Sequence, residues 1–351
     1  MAKSIHDIAQ LAGVSVTTVR LVINGQHKKY RIGEKTRLKV QAIIDKHGYY
    51  INQTARSLKL QKTHTIGLLV PRLTNPFFST LAQELERLCR EHKFQLITVC
   101  SNDDEQVEQE VTDNLLARGV DALLVTSVSK EQQHKLATSK RRCPTLFIDR
   151  DFRVENIPLV MTDNYHGGRL LGQALASTTL SSNIFFLGGN ANLPTIQDRL
   201  AGFKDGLQES GITLPENQIL WAQKGWREDS YELMAKLIQS TTLTYQTLVT
   251  DSIPVLEGTL QCLKDKLGVI PAGLKIGTFD DHTLLEVLVN PVISIRQDAH
   301  TLADKAFHCL EAMLNGTQKT PVRHVIPPQL IIRNCRREIV TEPLLDKLHQ
   351  L

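Results

Sequence analysis

From Thr65 to Phe279 the chain repeats one pattern, a short apolar run followed by a longer segment with apolar residues at helical spacing. Runs 65–70, 95–100, 122–126 and 145–149 read as buried strands, with helices at 77–92, 107–118 and 130–139 between them. In the first of these helices Phe78, Leu81, Leu85 and Leu88 share one face. After Asp163 the pattern resumes, with strands at 184–188, 218–221, 247–250 and 275–279 and helices at 166–176, 198–210, 230–239 and 255–265. Parallel strands need connections of this length, and the connecting helices must cover both faces of the sheet. The pattern therefore predicts two parallel doubly wound sheets in tandem, forming two lobes with a cleft between them. In such sheets ligands sit beyond the carboxyl ends of the strands.

Residues 1–64 do not share this pattern. They hold 12 Lys/Arg against 3 Asp/Glu, whereas the remainder holds 29 against 34. A basic head on an acidic body points to a polyanion at one end of the molecule. The head also has helical periodicity, which a solvated basic tail would lack. Ile5, Ile8, Ala9 and Ala12 make one stripe, Gly13 breaks it, and Ser15 is a good N-cap for a second helix with Val19, Val22 and Ile23 inside. In a helix-turn-helix the N-terminal side chains of the second helix enter a major groove. Val16, Thr17, Arg20 and Leu21 are the candidate base readers, and Ser4, Ser15, Thr18 and Asn24 suit phosphates. Ile5, Tyr30 and Arg31 complete the candidate DNA-contacting set of the head. A third helix, about 34–46, offers Leu38, Ala42 and Ile43 to close a small core.

The run Ile5-x-Asp7-Ile8-Ala9-x-x-Ala12-Gly13-Val14-Ser15-x-x-Thr18-Val19-x-x-Val22-Ile23-Asn24-Gly25 resembles the DNA-binding signature of the LacI/GalR family of bacterial transcription regulators. The likeness continues through Lys35-Thr36-Arg37, Gly48-Tyr49 and Asn52-x-x-Ala55-Arg56-x-Leu58. In the body it takes in Val160-Met161-Thr162-Asp163-Asn164-x-x-Gly167-Gly168, Arg199-x-x-Gly202-Phe203 and Thr278-Phe279-Asp280-Asp281. The longer basic loop at 25–32 most resembles the branch of the fructose and sucrose operon repressors. Three positions depart from the pattern: Arg20 stands where Ser is usual, Gly33 replaces a Ser N-cap, and Ile51 stands where Pro is common.

The resemblance implies an all-α helix-turn-helix head at 1–49, a hinge helix and linker at 50–63, and a two-lobed core like the periplasmic binding proteins at 64–340. The tail is 341–351. It implies an N-lobe of about 64–163 and 292–324 and a C-lobe of about 164–291 and 325–340, with passages near Asp163, Pro291 and His324. Asn52, Ala55 and Leu58 fall close to one face of the hinge helix, where Leu58 could wedge into a minor groove. The partners implied are a near-palindromic operator DNA, a small sugar or sugar phosphate, and a second copy of the chain, with a homodimer expected and a tetramer open.

Sugar hydroxyls are matched by carboxylates and guanidinium forks, and their apolar ring faces by aromatic side chains. Asp149, Arg199 and Asp280 lie just past strand ends or at a helix start, and by motif position they resemble the family's sugar contacts. Thr195 lies one helical turn before Arg199, and Ser252 follows another strand end. Pro71, Asn75, Phe77 and Phe78 are expected to form one wall, with one of the two Phe rings in the core. Arg150 directly follows Asp149, and a second cation there suits a phosphorylated sugar. Asp281 is read as structural.

Other chemistries find little support. The six cysteines are scattered without paired spacing, which argues for reduced thiols and against a zinc site or disulfide framework. Neither a phosphate-cradling glycine loop nor a metal-ligand cluster is visible, so no cofactor or metal is expected. The N-terminus lacks an apolar signal run and no stretch reaches the ~18 apolar residues of a membrane span, so a cytoplasmic protein is expected. The leading expectation is a repressor of sugar-utilisation genes released by fructose or a fructose phosphate. The alternatives are a sugar-binding sensor without DNA regulation and a sugar-phosphate enzyme.

Overall fold

The computed structural model describes residues 3–48, 62–139, 143–177, 184–240, 246–318 and 320–335. They form two compact units, Met1–Thr63 and His64–Leu351.

In the first unit, α1 (Ile5–Ala12) opens on a capping box: the Ser4 hydroxyl accepts from the Asp7 amide, and the Asp7 carboxylate accepts from the Ser4 amide at 2.9 Å. Gly13, left-handed at φ +65°, ends the helix. Helix α2 (Val16–Ile23) starts at Ser15, whose Oγ accepts from the Thr18 amide at 3.1 Å. Helix α3 (Glu34–His47) starts at Gly33, which has no side chain with which to cap it. Ile8, Ala9, Ala12, Val19, Val22 and Val40 make the core. Here one expectation is corrected. Leu38 is 53% exposed and Ala42 is exposed too, while Val40 is buried with Ile43 and Ile44 packed beside it. The helix carries two apolar stripes, and the one with the bulkier β-branched residues turns inward.

The second unit holds two six-stranded sheets. The first contains β1 (Thr65–Val70), β2 (Gln95–Cys100), β3 (Ala122–Val125), β4 (Thr145–Ile148), β5 (Leu159–Thr162) and β11 (Arg323–Ile326), in the order β11-β5-β4-β3-β1-β2 and all parallel. The second contains β6 (Ile184–Gly188), β7 (Ile219–Trp221), β8 (Thr247–Thr250), β9 (Lys275–Phe279), β10 (Val292–Arg296) and β12 (Gln329–Arg333), in the order β12-β10-β9-β8-β6-β7. Only β12 runs antiparallel there, against β10. Each sheet therefore repeats the same winding, with its first strand flanked by its second and third. Helices α4 (Pro76–Glu91), α5 (Glu105–Ala117) and α6 (Lys130–Ala137) connect the first sheet; α7 (Asn164–Ala176), α8 (Pro194–Gln208), α9 (Arg227–Ser240) and α10 (Ile253–Leu267) lead through the second. Helix α8 begins at Pro194, earlier than the expected 198, because Pro is well tolerated in a first helical turn.

The passages between lobes also differ from expectation. Strand β10 pairs with β9, so Val292–Arg296 belongs to the second lobe. Helix α11 (Ala299–Leu314) then packs Leu302, Ala306 and Phe307 against Ile66, Leu81 and Leu85 of the first. The second passage thus lies at Gln297–Asp298 and not near Pro291. The third lies at Pro327–Pro328 and not near His324, since β11 pairs with β5. Pro291 looks like a boundary, yet Pro is compatible with the residue just ahead of a strand.

Helices α7 and α8 meet backbone to backbone. A Cβ on Gly168 would overlap the Arg199 carbonyl oxygen, and one on Gly202 would overlap that of Tyr165. The glycines of the two sequence landmarks are therefore a packing requirement, and the approach they allow sets Arg199 beside Asn164.

Candidate functional site

A cavity of about 370 Å³ opens between the two lobes of the second unit. Strands β4 and β9 are the fourth strands of their lobes. Each is followed by an aspartate in the left-handed region, Asp149 at φ +71° and Asp280 at φ +67°. Asp tolerates this conformation better than most side chains. Both carboxylates are buried and both border the cavity. Two lobes wound alike thus present the same group from corresponding strand ends.

Arg199, also buried, projects from the second turn of α8. Its Nε donates to Asn164 Oδ1 at 2.8 Å, its Nη1 donates to the Asp251 carbonyl at 2.7 Å, and its guanidinium lies 4.0 Å from the Phe279 ring centre. Asp251 in turn accepts from the Gly189 amide at 2.6 Å and from the Ser252 hydroxyl at 2.9 Å. Burial pushes Asp149, Asp251 and Asp280 up from the ordinary carboxylate range, and the Arg199 charge opposes this in all three. Buried acids so arranged gain from any hydroxyl that donates to them. Asp149 Oδ1 has no hydrogen-bond partner among the described residues.

Gln297, at the second passage, donates to Asp280 at 2.6 Å and accepts from the Thr162 hydroxyl at 2.6 Å. Asn164 donates to the Thr162 carbonyl at 3.1 Å. Arg199, Asn164, Thr162, Gln297 and Asp280 therefore form one polar chain running from cavity to passages and back.

The first lobe supplies Pro71, just past β1, and Asn75, Phe77 and Phe78 at the start of α4. Asn75 caps that helix, accepting from the Phe77 amide at 3.0 Å. The expectation that only one Phe would face the site is corrected: both are buried and both border the cavity, their rings edge to face at 5.0 Å. Arg150 lines the cavity too, but its charge is met by Asp103 at 2.7 Å. With Thr195 and Ser252, all ten residues selected from the sequence gather around this one space. Asp281 stands aside. Burial would raise it, yet hydrogen bonds from Arg333, Ser294 and Arg296 outweigh that and hold it low.

Sequence reasoning missed Arg72, Lys224, Trp226, Asp251 and Gln297. The first three meet at the Trp226 ring, whose centre is 4.1 Å from the Arg72 guanidinium carbon and 4.3 Å from Lys224 Nζ. The loop before α9 carries no motif that would have found them.

In the first unit α2 presents Thr17 and Arg20 to solvent, while Val16, Thr18 and Leu21 are half-buried. Ser4 and Ser15 act as helix caps, Ile5 is half-buried against the core, and Asn24 closes α2. Tyr30 and Arg31 are exposed in the loop that follows, with Lys29 Nζ 5.8 Å from the Tyr30 ring centre. Asn52, Ala55 and Leu58 lie outside the described residues.

Comparison with known proteins agrees with this division. The family described as "Bacterial regulatory proteins, lacI family" matches residues 4–52, and "Periplasmic binding proteins and sugar binding domain of LacI family" matches residues 63–266. The sucrose operon repressor of Klebsiella pneumoniae is 35% identical over 336 residues, covering 94% of this chain and 98% of that protein. Among solved structures, the Cra transcriptional dual regulator from Pseudomonas putida in complex with fructose 1-phosphate is 27% identical, with a TM-score of 0.68 over 77% of this chain and 98% of that one. The lac repressor dimer bound to operator and the anti-inducer ONPF shares the fold, with 18% identity and a TM-score of 0.79 over 94% of this chain and 98% of that one.

Proposed function

The chain belongs to the LacI family of bacterial regulatory proteins, and on that premise we propose that it represses sugar-utilisation genes and is released from its operator by fructose or a fructose phosphate. The observation that carries the reading is the convergence of Asp149, Asp280 and Arg199 on one cavity, in a chain whose head is a basic helix-turn-helix. The carboxylates accept hydroxyl protons, Arg199 donates, and Phe77 and Phe78 cover the apolar ring face. Thr17 and Arg20 read base edges, the hinge residues Asn52, Ala55 and Leu58 enter the minor groove, and two copies of the chain meet a near-palindrome.

The chemistry is binding, not turnover, and the molecule works in the cytoplasm as a homodimer. Effector in the cavity shifts the lobes, and by linkage operator DNA lowers effector affinity by the factor that effector lowers operator affinity. The fructose assignment is supported by the two relatives named for sucrose utilisation and for a fructose 1-phosphate complex. The test is to titrate labelled operator complex with fructose, fructose 1-phosphate, fructose 6-phosphate and sucrose. One of the four should displace the protein from DNA; failure of all four would sink the assignment.

A further inference from the structure

The cations around the cavity are unequally matched. Arg150 is ion-paired with Asp103, Arg199 is held by Asn164 and the Asp251 carbonyl, and Arg227 donates to Gln261 at 2.8 Å. Arg72 and Lys224 have no carboxylate partner among the described residues. Both lie over the Trp226 indole instead, Arg72 reaching it from the first lobe and Lys224 from the second. Two groups this close to one ring centre are separated by at most about 8 Å, comparable to one screening length at physiological salt. They repel each other, and an aromatic face attracts a cation without neutralising it.

The backbone holds the second-lobe half of this arrangement in place. The amides of Lys224, Gly225 and Trp226 all donate to the Asp229 carboxylate, at 2.5, 3.1 and 2.7 Å. Gly225, at φ +74°, packs so closely on the loop after β6 that a Cβ would sit 2.7 Å from the Gly189 Cα. Arg72 directly follows Pro71 at the end of β1. The Trp226 Nε1 is a buried donor with no acceptor among the described residues. Asp229 is engaged by the three backbone amides, and Glu228 and Glu257 also border the cavity, yet neither Arg72 nor Lys224 is ion-paired among the described residues. Two unpaired cations beside an unmet N–H suit an anion rich in acceptor oxygens. Arg150, the cation that the sequence suggests for a phosphate, already has Asp103.

We propose that Arg72, Lys224 and Trp226 form a subsite for the phosphate of a sugar monophosphate, so that the effector is a phosphorylated sugar and not the free one. This rests on the reading of the cavity as an effector site. Inorganic phosphate shares the anionic chemistry, and the assay separates the two. Full-length protein is titrated calorimetrically with fructose, fructose 1-phosphate, fructose 6-phosphate and inorganic phosphate, using wild type, Arg72→Gln, Lys224→Gln, the double variant and Trp226→Phe. One of the fructose phosphates should bind at least tenfold more tightly than fructose or inorganic phosphate. Each single charge removal should weaken that binding about tenfold, as expected for a charged hydrogen bond. Trp226→Phe keeps an aromatic face but loses the N–H and the fused five-membered ring, and because it removes no charge it should weaken binding by a smaller factor than either charge removal. Lys204→Gln, which removes a cation ion-paired to Glu216 outside the cavity, should change nothing.

A double variant that binds fructose phosphates like wild type would overturn the subsite while leaving the effector reading intact. So would fructose binding as tightly as its phosphates, or inorganic phosphate binding as tightly as both. If no sugar compound binds and none releases operator, the effector reading itself fails and takes the subsite with it. Melting curves run alongside identify any variant that has lost its fold, in which case the remaining single variants decide.

Discussion

Gln297 donates to the Asp280 carboxylate at 2.6 Å, which ties an acid of the cavity to the point where the chain makes its second passage between lobes. The same side chain accepts from Thr162, at the end of the strand that leads into the first passage. Replacing it with leucine leaves a buried carboxylate and a buried hydroxyl without this partner. Gln297→Leu should lose about 1–3 kcal/mol of stability, and the effector needed to release operator should rise more than operator affinity itself changes. Denaturant melts and an operator-release titration check both. A variant with wild-type stability and wild-type release would remove Gln297 from the coupling.

Arg199 is the positive charge that opposes the raised carboxyl groups of Asp149, Asp251 and Asp280. Arg199→Ala leaves those acids without this compensating charge. It should cost about 3 kcal/mol or more, as breaking buried pairs does, and abolish effector release. Operator binding depends on the head and should persist. Measuring both in one mobility-shift series distinguishes the cases, since parallel loss of operator binding and release would refute the separation of roles.

Glu108, which does not line the cavity, offers a pH signature. It is buried, accepts from the Val128 amide at 2.7 Å, and burial raises its carboxyl to about 7 from the ordinary 4.5. A folded pKa above the unfolded one means the native state holds the proton more tightly. This group's penalty is therefore greatest above about pH 7 and disappears as pH falls toward 4.5, a gain of up to about 3 kcal/mol. Glu108→Gln should be more stable than wild type at pH 8, and the difference should shrink to nothing by pH 4.5. Chemical denaturation across that window tests the sign; a difference that stays flat with pH would contradict it.

The strands were legible because a parallel strand covered on both faces is apolar along its whole length. Thr65–Val70 and Lys275–Phe279 accordingly end where the sequence says they do. Asp149, Arg199 and Asp280 were legible because their place after a strand or at a helix start is itself the signal. On α3 Ile43 packs against the core as expected, whereas Leu38 and Ala42 do not, because two apolar stripes compete on one helix and only the neighbouring helices decide between them. Gln297, Lys224 and Trp226 were invisible for a related reason. Their roles depend on groups such as Thr162 and Arg72, far off in the chain and brought near only by the fold.

The contact between α7 and α8 makes the last prediction. Gly202 sits against the Tyr165 carbonyl and Gly168 against that of Arg199, so even one methyl group at either position has no space. Because the obstacle is backbone, no side chain can swing aside, and the helices must separate. Gly202→Ala should therefore cost about 1–3 kcal/mol or more, the range for overpacking. The shift should also move Arg199 away from Asn164, which it reaches at 2.8 Å, and so weaken effector binding beyond what stability alone explains. Gly211→Ala provides the contrast. Gly211 has φ +76° but open space around its Cβ position, so the substitution strains the backbone locally without touching the site. It should lower the melting temperature and leave effector affinity unchanged. If both variants lost stability and both retained wild-type affinity, the glycine contact would be packing alone, with no part in placing Arg199.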